Sequence, residues 1–315
     1  MNCAYLMRCA DGSYYAGWTN DVAARAAAHA AGKGAKYTRS RLPVQLAWWQ
    51  PCADQSEAMR LEARLKRMEH SEKAALAAPY ARARAFLAQE PVEYADLLDM
   101  LAHGAAWLAY EGPEGVVLRS EGLAVLACAR EDGVETLLGH LGDAVLLCTH
   151  GRALARAAER LSGVRPDPER CAQWVYLQKA PPAVPQGLEL RRLTPRYAPL
   201  LAKAYAHFSD EAYLRGRLAA GVMLGAFVDG ALAGFIGLHA EGSMGILEVP
   251  PEYRRRGLGE ALEAAQIAAQ LARGHIPYAH VIDGNAASTS LQQKLGLTQA
   301  RQPVLWWERE PVPPF

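Results

Sequence analysis

The chain has 315 residues, 51% of them hydrophobic and 21% charged, and a net charge of +1. That much apolar surface builds sizeable cores, which excludes wholesale disorder, and the length predicts two or three domains at roughly 150 residues each. No uncharged apolar run of about 18 residues occurs, so no membrane-spanning helix is expected, and Arg8 and Asp11 interrupt the first residues before a signal-peptide core could form. The six cysteines (Cys3, Cys9, Cys52, Cys128, Cys148 and Cys171) contain no CxxC pair. They are too sparse for a disulfide scaffold or a structural zinc site, and a reduced, cytoplasmic chain is expected. The small net charge conceals an asymmetry: residues 1–90 carry +5 and the remainder −4. A polyanion partner, if present, belongs at the N-terminal end.

The first 80 residues read as a β-β-α-β-α module. Apolar Ala4–Met7 leads through the turn dipeptide Asp11-Gly12 to Tyr14, Tyr15 and Trp18. Asn20 or Asp21 caps a helix from Val22 to Ala31 that ends at Gly32. A basic loop from Lys33 to Arg41 follows, then a strand around Leu46–Trp49. A helix starts at Asp54, with Glu57 completing a capping box. Leu61, Leu65 and Met68 form its apolar stripe, and a further helix is predicted from Ser71 to just before Pro79.

Residues 81–94 read as a helical connector. Between 95 and 182, short apolar stretches at Val116–Leu118, Ala124–Ala129, Ala144–Cys148 and Trp174–Leu177 alternate with Gly turns, and helical runs lie at 95–108 and 151–162. Pro181, Pro182 and Pro185 mark a linker. From 186 to 315 strands and helices alternate: a strand at Leu188–Leu193, one or two helices over 195–219, and a hairpin of Val222–Val228 with Ala231–His239 turning at Asp229-Gly230. A strand at Ile246–Val249, a helix over 258–273, a strand at Tyr278–Ile282, a helix over 287–295 and a strand at Val304–Trp307 complete it. The fold class is α/β (α+β).

Tyr5, the Tyr15-Ala16-Gly17 triplet, Arg25, His29 and Glu62, together with the stretch GKGAKYT, resemble the GIY-YIG nuclease superfamily. Ala-Tyr-Leu stands at its first motif, and Ala16 replaces the middle residue of the second. The resemblance covers about 80 residues. It implies Tyr5 as general base, Tyr15 in support, Arg25 on the phosphate beside His29, and Glu62 as ligand to Mg²⁺. Phosphodiester hydrolysis needs a base for water, a cation for the developing charge and a metal for the leaving oxygen, and these residue types meet that need. A tyrosine base further requires a pKa drawn down toward the working pH, here by Arg25 and the metal. Lys33 and Lys36 would hold the DNA or RNA backbone. Singly, each residue also has an ordinary reading: tyrosines favour strands, Glu62 and Lys66 form an i,i+4 helix pair, and the basic loop is a solvated turn. A nucleic-acid binder without cleavage would look much the same.

A second motif runs Ile246-Leu-Glu248-Val249-Pro-Pro-Glu-Tyr-Arg254-Arg255-Arg256-Gly257-Leu258-Gly259, from a strand through a glycine-bearing loop into a helix. Such a junction aims backbone N–H groups at an anion. This Arg-x-x-Gly-x-Gly resembles the acyl-CoA pyrophosphate loop of the GNAT N-acetyltransferases, nearest to the FR47-like branch. The segment Asn285-Ala-Ala-Ser288 through Leu297 is similar to the same family's segment after its fifth strand. The resemblance implies acetyl-CoA or another acyl-CoA held by residues 254–259, Asn285 and Ser288, with the Val249 N–H on the thioester carbonyl. An amine acceptor follows, with Glu248, Glu241 and His239 as candidate bases. The family's usual tyrosine acid is replaced here by Gln292, which cannot serve as an acid. The 95–182 segment has the outline of a degenerate GNAT-like half. The expected whole is an acyl-CoA-dependent N-acyltransferase fused to a Mg²⁺-dependent nuclease or nucleic-acid-binding module. The alternative is a nucleic-acid protein whose GNAT part only senses acyl-CoA.

Overall fold

In the computed structural model, which describes residues 1–160, 164, 168–185, 187–205 and 210–310, the Asp11-Gly12 turn joins β1 (Cys3–Cys9) to β2 (Tyr14–Thr19). Asp21 caps α1 (Val22–Ala30) through a bond to the Ala24 N–H. The basic loop contains a turn of helix, α2 (Lys36–Arg39), ahead of β3 (Val44–Pro51). The strands form an antiparallel sheet in the order β2-β1-β3. Asp54 caps α3 (Gln55–Arg67) by accepting from the Glu57 N–H at 2.7 Å, and Glu57 reaches back to the Ala53 N–H at 2.6 Å. The expected capping box is present, shifted by one residue on its return bond.

One expectation is overturned at Pro79. Helix α4 (His70–Leu87) continues through it and absorbs much of the expected connector. An interior proline costs about 3 kcal/mol. Here the loss is offset by a stripe of buried residues on both sides of it, Ala77, Tyr80, Ala83 and Leu87. Helix α5 (Ala95–His103) stops where Gly104 takes the left-handed conformation at φ +75°. A strand not foreseen, β4 (Trp107–Gly112), follows. Its residues are all half-buried, so no alternation marks it. Then come β5 (Gly115–Ser120), β6 (Leu123–Cys128), α6 (Val134–Leu138), β7 (Leu146–His150) and α7 (Arg152–Ala158). Residues 161 and 162 of the helix expected at 151–162 lie outside the described residues.

The remainder comprises β8 (Glu169–Val175), β9 (Glu189–Arg192), α8 (Ala198–Ala204), α9 (Glu211–Ala219), β10 (Leu224–Val228) and β11 (Ala231–Leu238). These are followed by β12 (Met244–Glu248), α10 (Leu258–Ala272), β13 (Tyr278–Ile282), α11 (Ala286–Lys294) and β14 (Thr298–Glu308). Positions 206–209 of the expected 195–219 helices, 186 at the start of the last expected domain and 311–315 at its end lie outside the described residues. Asp229 and Gly230 both take positive φ, 49° and 79°, as a two-residue hairpin turn requires.

The chain divides into two compact units. Met1–Arg170 with Gln302–Phe315 form the first, in which β4-β5-β6-β7 is continued by the end of β14, antiparallel to β7. One of its cores gathers Leu126, Leu137, Leu147, Leu154, Leu305 and Trp307. Cys171–Arg301 form the other unit, a mixed sheet in the order β8-β13-β12-β11-β10-β9 with cores around Ile267, Phe235 and Leu262. Among the described residues no helix is long and apolar enough to cross a membrane.

Candidate functional site

Strand pairing sets Tyr5 opposite Gly17 on one side and Trp49 on the other. Position 17 must be glycine, because a Cβ there would overlap the Tyr5 phenol. The phenol is buried, and its oxygen lies 3.2 Å from Nε2 of His29. The opposite ring nitrogen, Nδ1, lies 2.8 Å from Oγ1 of Thr38. That hydroxyl gives its own proton to the Ala35 carbonyl at 3.0 Å. A hydroxyl has one proton, so Thr38 accepts from His29 Nδ1–H, and the Nε2 lone pair receives the Tyr5 hydroxyl. The hydrogen-bond network thereby assigns the tautomer. Burial, and then the Arg25 charge, lower the His29 pKa and keep the ring neutral. Gly34 seats the ring, since a Cβ there would overlap it.

Tyr15 lies beside this pair, its ring centroid 6.5 Å from Tyr5 and 5.2 Å from His29, and it stacks on Tyr37 at 6.1 Å. Arg25 on α1 is exposed and Glu62 on α3 is half-buried; both charges act on the Tyr5 hydroxyl. Of the two expected causes of a lowered pKa, Arg25 by itself does not bring it down. Burial raises it first, Tyr15 adds to this, and the pull of Arg25 is outweighed. Glu62 lies 2.8 Å from Lys66, the ordinary i,i+4 pair. Lys33 and Lys36 are exposed along the basic segment. Thr38 and Gly34 act on the site through His29, by the bond to Nδ1 and the room for its ring, and neither is among the expected site residues. Their signal was the small-residue spacing after His29.

In the second unit, β12 contains a bulge. One extra residue sits between the pairs Phe235↔Glu248 and Gly237↔Gly245, and Ile246 takes φ +50°, a strained conformation for a β-branched residue. On its other edge β12 meets parallel β13 at Met244↔Ala279, the single register pair between them among the described residues. Beyond Met244 no further register pair joins Gly245–Glu248 to β13 among the described residues. Arg254 closes the turn after β12: its Nε donates to the Val249 carbonyl at 2.8 Å and its terminal nitrogen lies 3.4 Å from Glu248 Oε1. Arg255 takes φ +66° and Gly257 φ +76°. The first intrahelical bond of α10 runs from the Ala261 N–H to the Gly257 carbonyl at 3.0 Å. The N–H groups of Leu258, Gly259 and Glu260 therefore precede the helical ladder and point outward from its start. Leu258 itself is buried and anchors the helix, while Arg255, Arg256 and Gly257 are exposed.

Asn285 caps α11 by accepting from the Ser288 N–H at 3.0 Å. Gln292 is buried and donates to Glu263 Oε1 at 2.5 Å. Burial pushes the Glu263 pKa up to about 7, against the pull of that bond. Glu263 Oε2 and the Gln292 amide oxygen, Oε1, are buried without a hydrogen-bond partner. Of the candidate bases, Glu248 faces Arg254, Glu241 accepts from the Ser243 hydroxyl at 2.5 Å, and His239 Nδ1 lies 3.2 Å from the Tyr213 hydroxyl.

Comparison with known proteins finds two separate family matches along the chain. Residues 1–74 match the GIY-YIG catalytic domain, and residues 221–306 match the FR47-like protein family. A UPF0213 protein of Streptococcus pneumoniae is 54% identical over 69 residues, which are 22% of this chain and 70% of that protein. A UPF0213 protein of Halobacterium salinarum is 49% identical over 76 residues, 24% of this chain and 99% of its own length. The crystal structure of a Drosophila protein covers 75% of this chain and 89% of its own, at 20% identity and a TM-score of 0.50, a likeness of fold.

Proposed function

From a chain that belongs to the GIY-YIG family through residues 1–74 and carries a GNAT acetyltransferase domain of the FR47-like kind at 221–306, we propose an acyl-CoA-dependent N-acyltransferase acting on an amine, with acetyl the expected acyl group, fused to a Mg²⁺-dependent phosphodiesterase acting on nucleic acid.

The hydrogen-bonded chain Tyr5–His29–Thr38 supports the nuclease half. Burial holds the Tyr5 proton against the pull of Arg25, so the proposed base is the hydrogen-bonded pair rather than a preformed phenolate. As the Tyr5 oxygen accepts a proton from water, its own proton passes to the waiting Nε2 of His29, and Thr38 steadies the imidazolium from behind. Arg25, exposed beside them, meets the phosphate. The half-buried Glu62 carboxylate suits Mg²⁺, which binds through one or two carboxylates and keeps its waters. When bound, that ion would stabilise charge on the leaving oxygen. Lys66 holds Glu62 in place meanwhile.

For the transferase half, the carrying observation is the end of β12–β13 pairing at Met244, ahead of the start of α10. The edge of Gly245–Val249 that β13 leaves unpaired would offer backbone N–H groups to an acyl-pantetheine arm, and the Val249 N–H would polarise the thioester carbonyl. The outward N–H groups at the start of α10, with Arg255 and Arg256 beside them, suit a pyrophosphate. Acyl-CoA supplies the activated acyl group; the amine nitrogen forms the new C–N bond as the C–S bond breaks. Glu248, or His239 backed by Tyr213, takes the proton the amine loses. One observation favours the sensor reading instead: Gln292 is bonded to buried Glu263 and offers no acid to the departing thiolate.

Thermal unfolding of the whole protein with acetyl-CoA, and separately with Mg²⁺ and a short duplex, tests both halves. At a hundredfold excess over Kd a ligand adds about 2.7 kcal/mol of stability. No shift with acetyl-CoA would remove the transferase reading. A shift without release of free thiol from acetyl-CoA across a panel of amines would leave the sensor.

A further inference from the structure

The first unit contains a cavity of about 420 Å³ that neither site uses, walled by Trp48, Trp49, Tyr80, Trp107, Arg119 and His140. Its volume falls within the roughly 300–1,000 Å³ of small-molecule sites. The walls are held by their own bonds. The Tyr80 hydroxyl donates to the Trp49 carbonyl at 2.6 Å and accepts from the Leu108 N–H at 3.1 Å. Trp49 Nε1 donates to the Ala106 carbonyl at 3.1 Å, and the Trp49 and Trp107 rings meet edge to face at 5.8 Å. His140 is stacked on Tyr110 at 4.4 Å.

Arg119 gives the cavity its charge. It pairs across the strands with Trp107, and its guanidinium sits 5.4 Å from that ring. Gly142, at φ +56°, makes room for it: a Cβ there would overlap the guanidinium. One terminal nitrogen is paired with Asp143, whose side chain is 83% exposed. The Arg119 Nε, however, is buried and has no hydrogen-bond partner. The guanidinium is therefore only part-satisfied by Asp143 and would take an anion through a terminal nitrogen, as arginines do with phosphate. Flat aromatic walls beside it suit a planar ring.

We propose that this cavity binds one nucleotide, its base against the tryptophan walls and its phosphate at Arg119. The site is distinct from the Tyr5 centre and does not require hydrolysis there, although Trp49 and Tyr5 are register partners on neighbouring strands. The nucleotide has two possible sources, a free mononucleotide or one residue of a single strand.

The experiment titrates AMP, and separately a deoxyadenosine decamer, into the full-length protein, followed by calorimetry and tryptophan fluorescence. The same titrations are made on Trp107→Leu, Arg119→Met and His140→Ala, and on all of these in a Lys33→Ala, Lys36→Ala background. Binding that weakens about tenfold or more in the cavity variants supports the site. Saturation by AMP assigns the free nucleotide; binding of the decamer alone assigns the single strand. Failure of both ligands to bind, or binding unchanged by Arg119→Met, overturns the proposal. Should the variants unfold, photolabelling of the native protein with 8-azido-AMP decides. Label on peptides containing Trp48–Gln50 or Trp107–Arg119 supports the site, and label elsewhere or none overturns it.

Discussion

The Thr38 hydroxyl fixes which nitrogen of His29 carries the proton. Lying 2.8 Å from Nδ1 and already donating to the Ala35 carbonyl, it must accept from the ring and so turns the basic nitrogen toward Tyr5. Replacing Thr38 by Val keeps the shape and removes the acceptor. The expected result is cleavage slowed by about tenfold to a hundredfold, as when a residue behind a functional histidine is lost, with stability reduced by about 1–3 kcal/mol for the stranded N–H. Single-turnover cleavage rates and urea midpoints measure the two effects. Thr38→Ser should restore most of the rate, and a Val variant as fast as the parent would remove Thr38 from the chemistry.

The pH profile of cleavage follows from His29. In the proposed mechanism the neutral ring accepts the Tyr5 proton, and protonation would abolish that role as pH falls. Because burial and Arg25 both lower its pKa below the ordinary 6.5, the acid limb of the rate profile is expected below pH 6.5. NMR titration of the His29 ring should give the same midpoint. An acid limb above 6.5 would contradict the arrangement.

Gly17 is predicted to be irreplaceable even by alanine. Its missing side chain is the space the Tyr5 phenol occupies, so Gly17→Ala should displace the ring and cost about 1–3 kcal/mol. Cleavage should fall with it, while any acetyl-CoA-induced rise in Tm persists.

Gly257→Glu addresses the other half. The position needs a positive φ, which costs a non-glycine residue about 1–2 kcal/mol, and the new carboxylate would face the outward N–H groups at the start of α10. Acetyl-CoA should then no longer raise Tm. Gly257→Ala separates the causes, carrying the backbone cost without the charge and leaving measurable binding. Equal binding by the Glu variant would misplace the phosphate site.

Glu263 makes the second unit sensitive to pH. Its native pKa of about 7 lies above the ordinary 4.5, so the native state binds more protons than the unfolded chain between those values. Stability is highest below 4.5, declines as pH rises toward 7 and is flat above. The full difference is up to about 3 kcal/mol. Glu263→Gln removes the titrating group and replaces the orphaned Oε2 by an amide nitrogen that can donate to Gln292 Oε1, while its oxygen keeps the bond from Gln292 Nε2. The variant should be more stable than the parent at pH 8 and close to it at pH 4.5. Denaturant melts at both pH values check this; a parent-like pH dependence in the variant would place the titration elsewhere.

Much of this architecture was legible one residue at a time. Asp11-Gly12 and Asp229-Gly230 specify their hairpins, Asp21, Asp54 and Asn285 cap their helices, and Tyr5, Gly17, His29 and Gly257 stand at recognisable spacings, because turn chemistry, caps and motifs are written within a few consecutive residues. Pro79 shows where local rules yield: its cost is local, but the burial that offsets it comes from strands and helices distant in sequence. β4 escaped notice for the related reason that half-burial on both faces leaves no period to read.

Only tertiary structure decided how the site residues act. The burial that outweighs Arg25 at Tyr5 comes with groups brought in from β2, α1 and α3, and the tautomer of His29 is set by Thr38, which only the chain's return after α1 places behind it. The same holds for Gln292: its identity ruled out an acid, but its bond to Glu263 depends on α10 and α11 packing together. Short-range signals determine which elements form. Convergence of side chains from separate elements determines charge, tautomer and reach, and no window of sequence contains it.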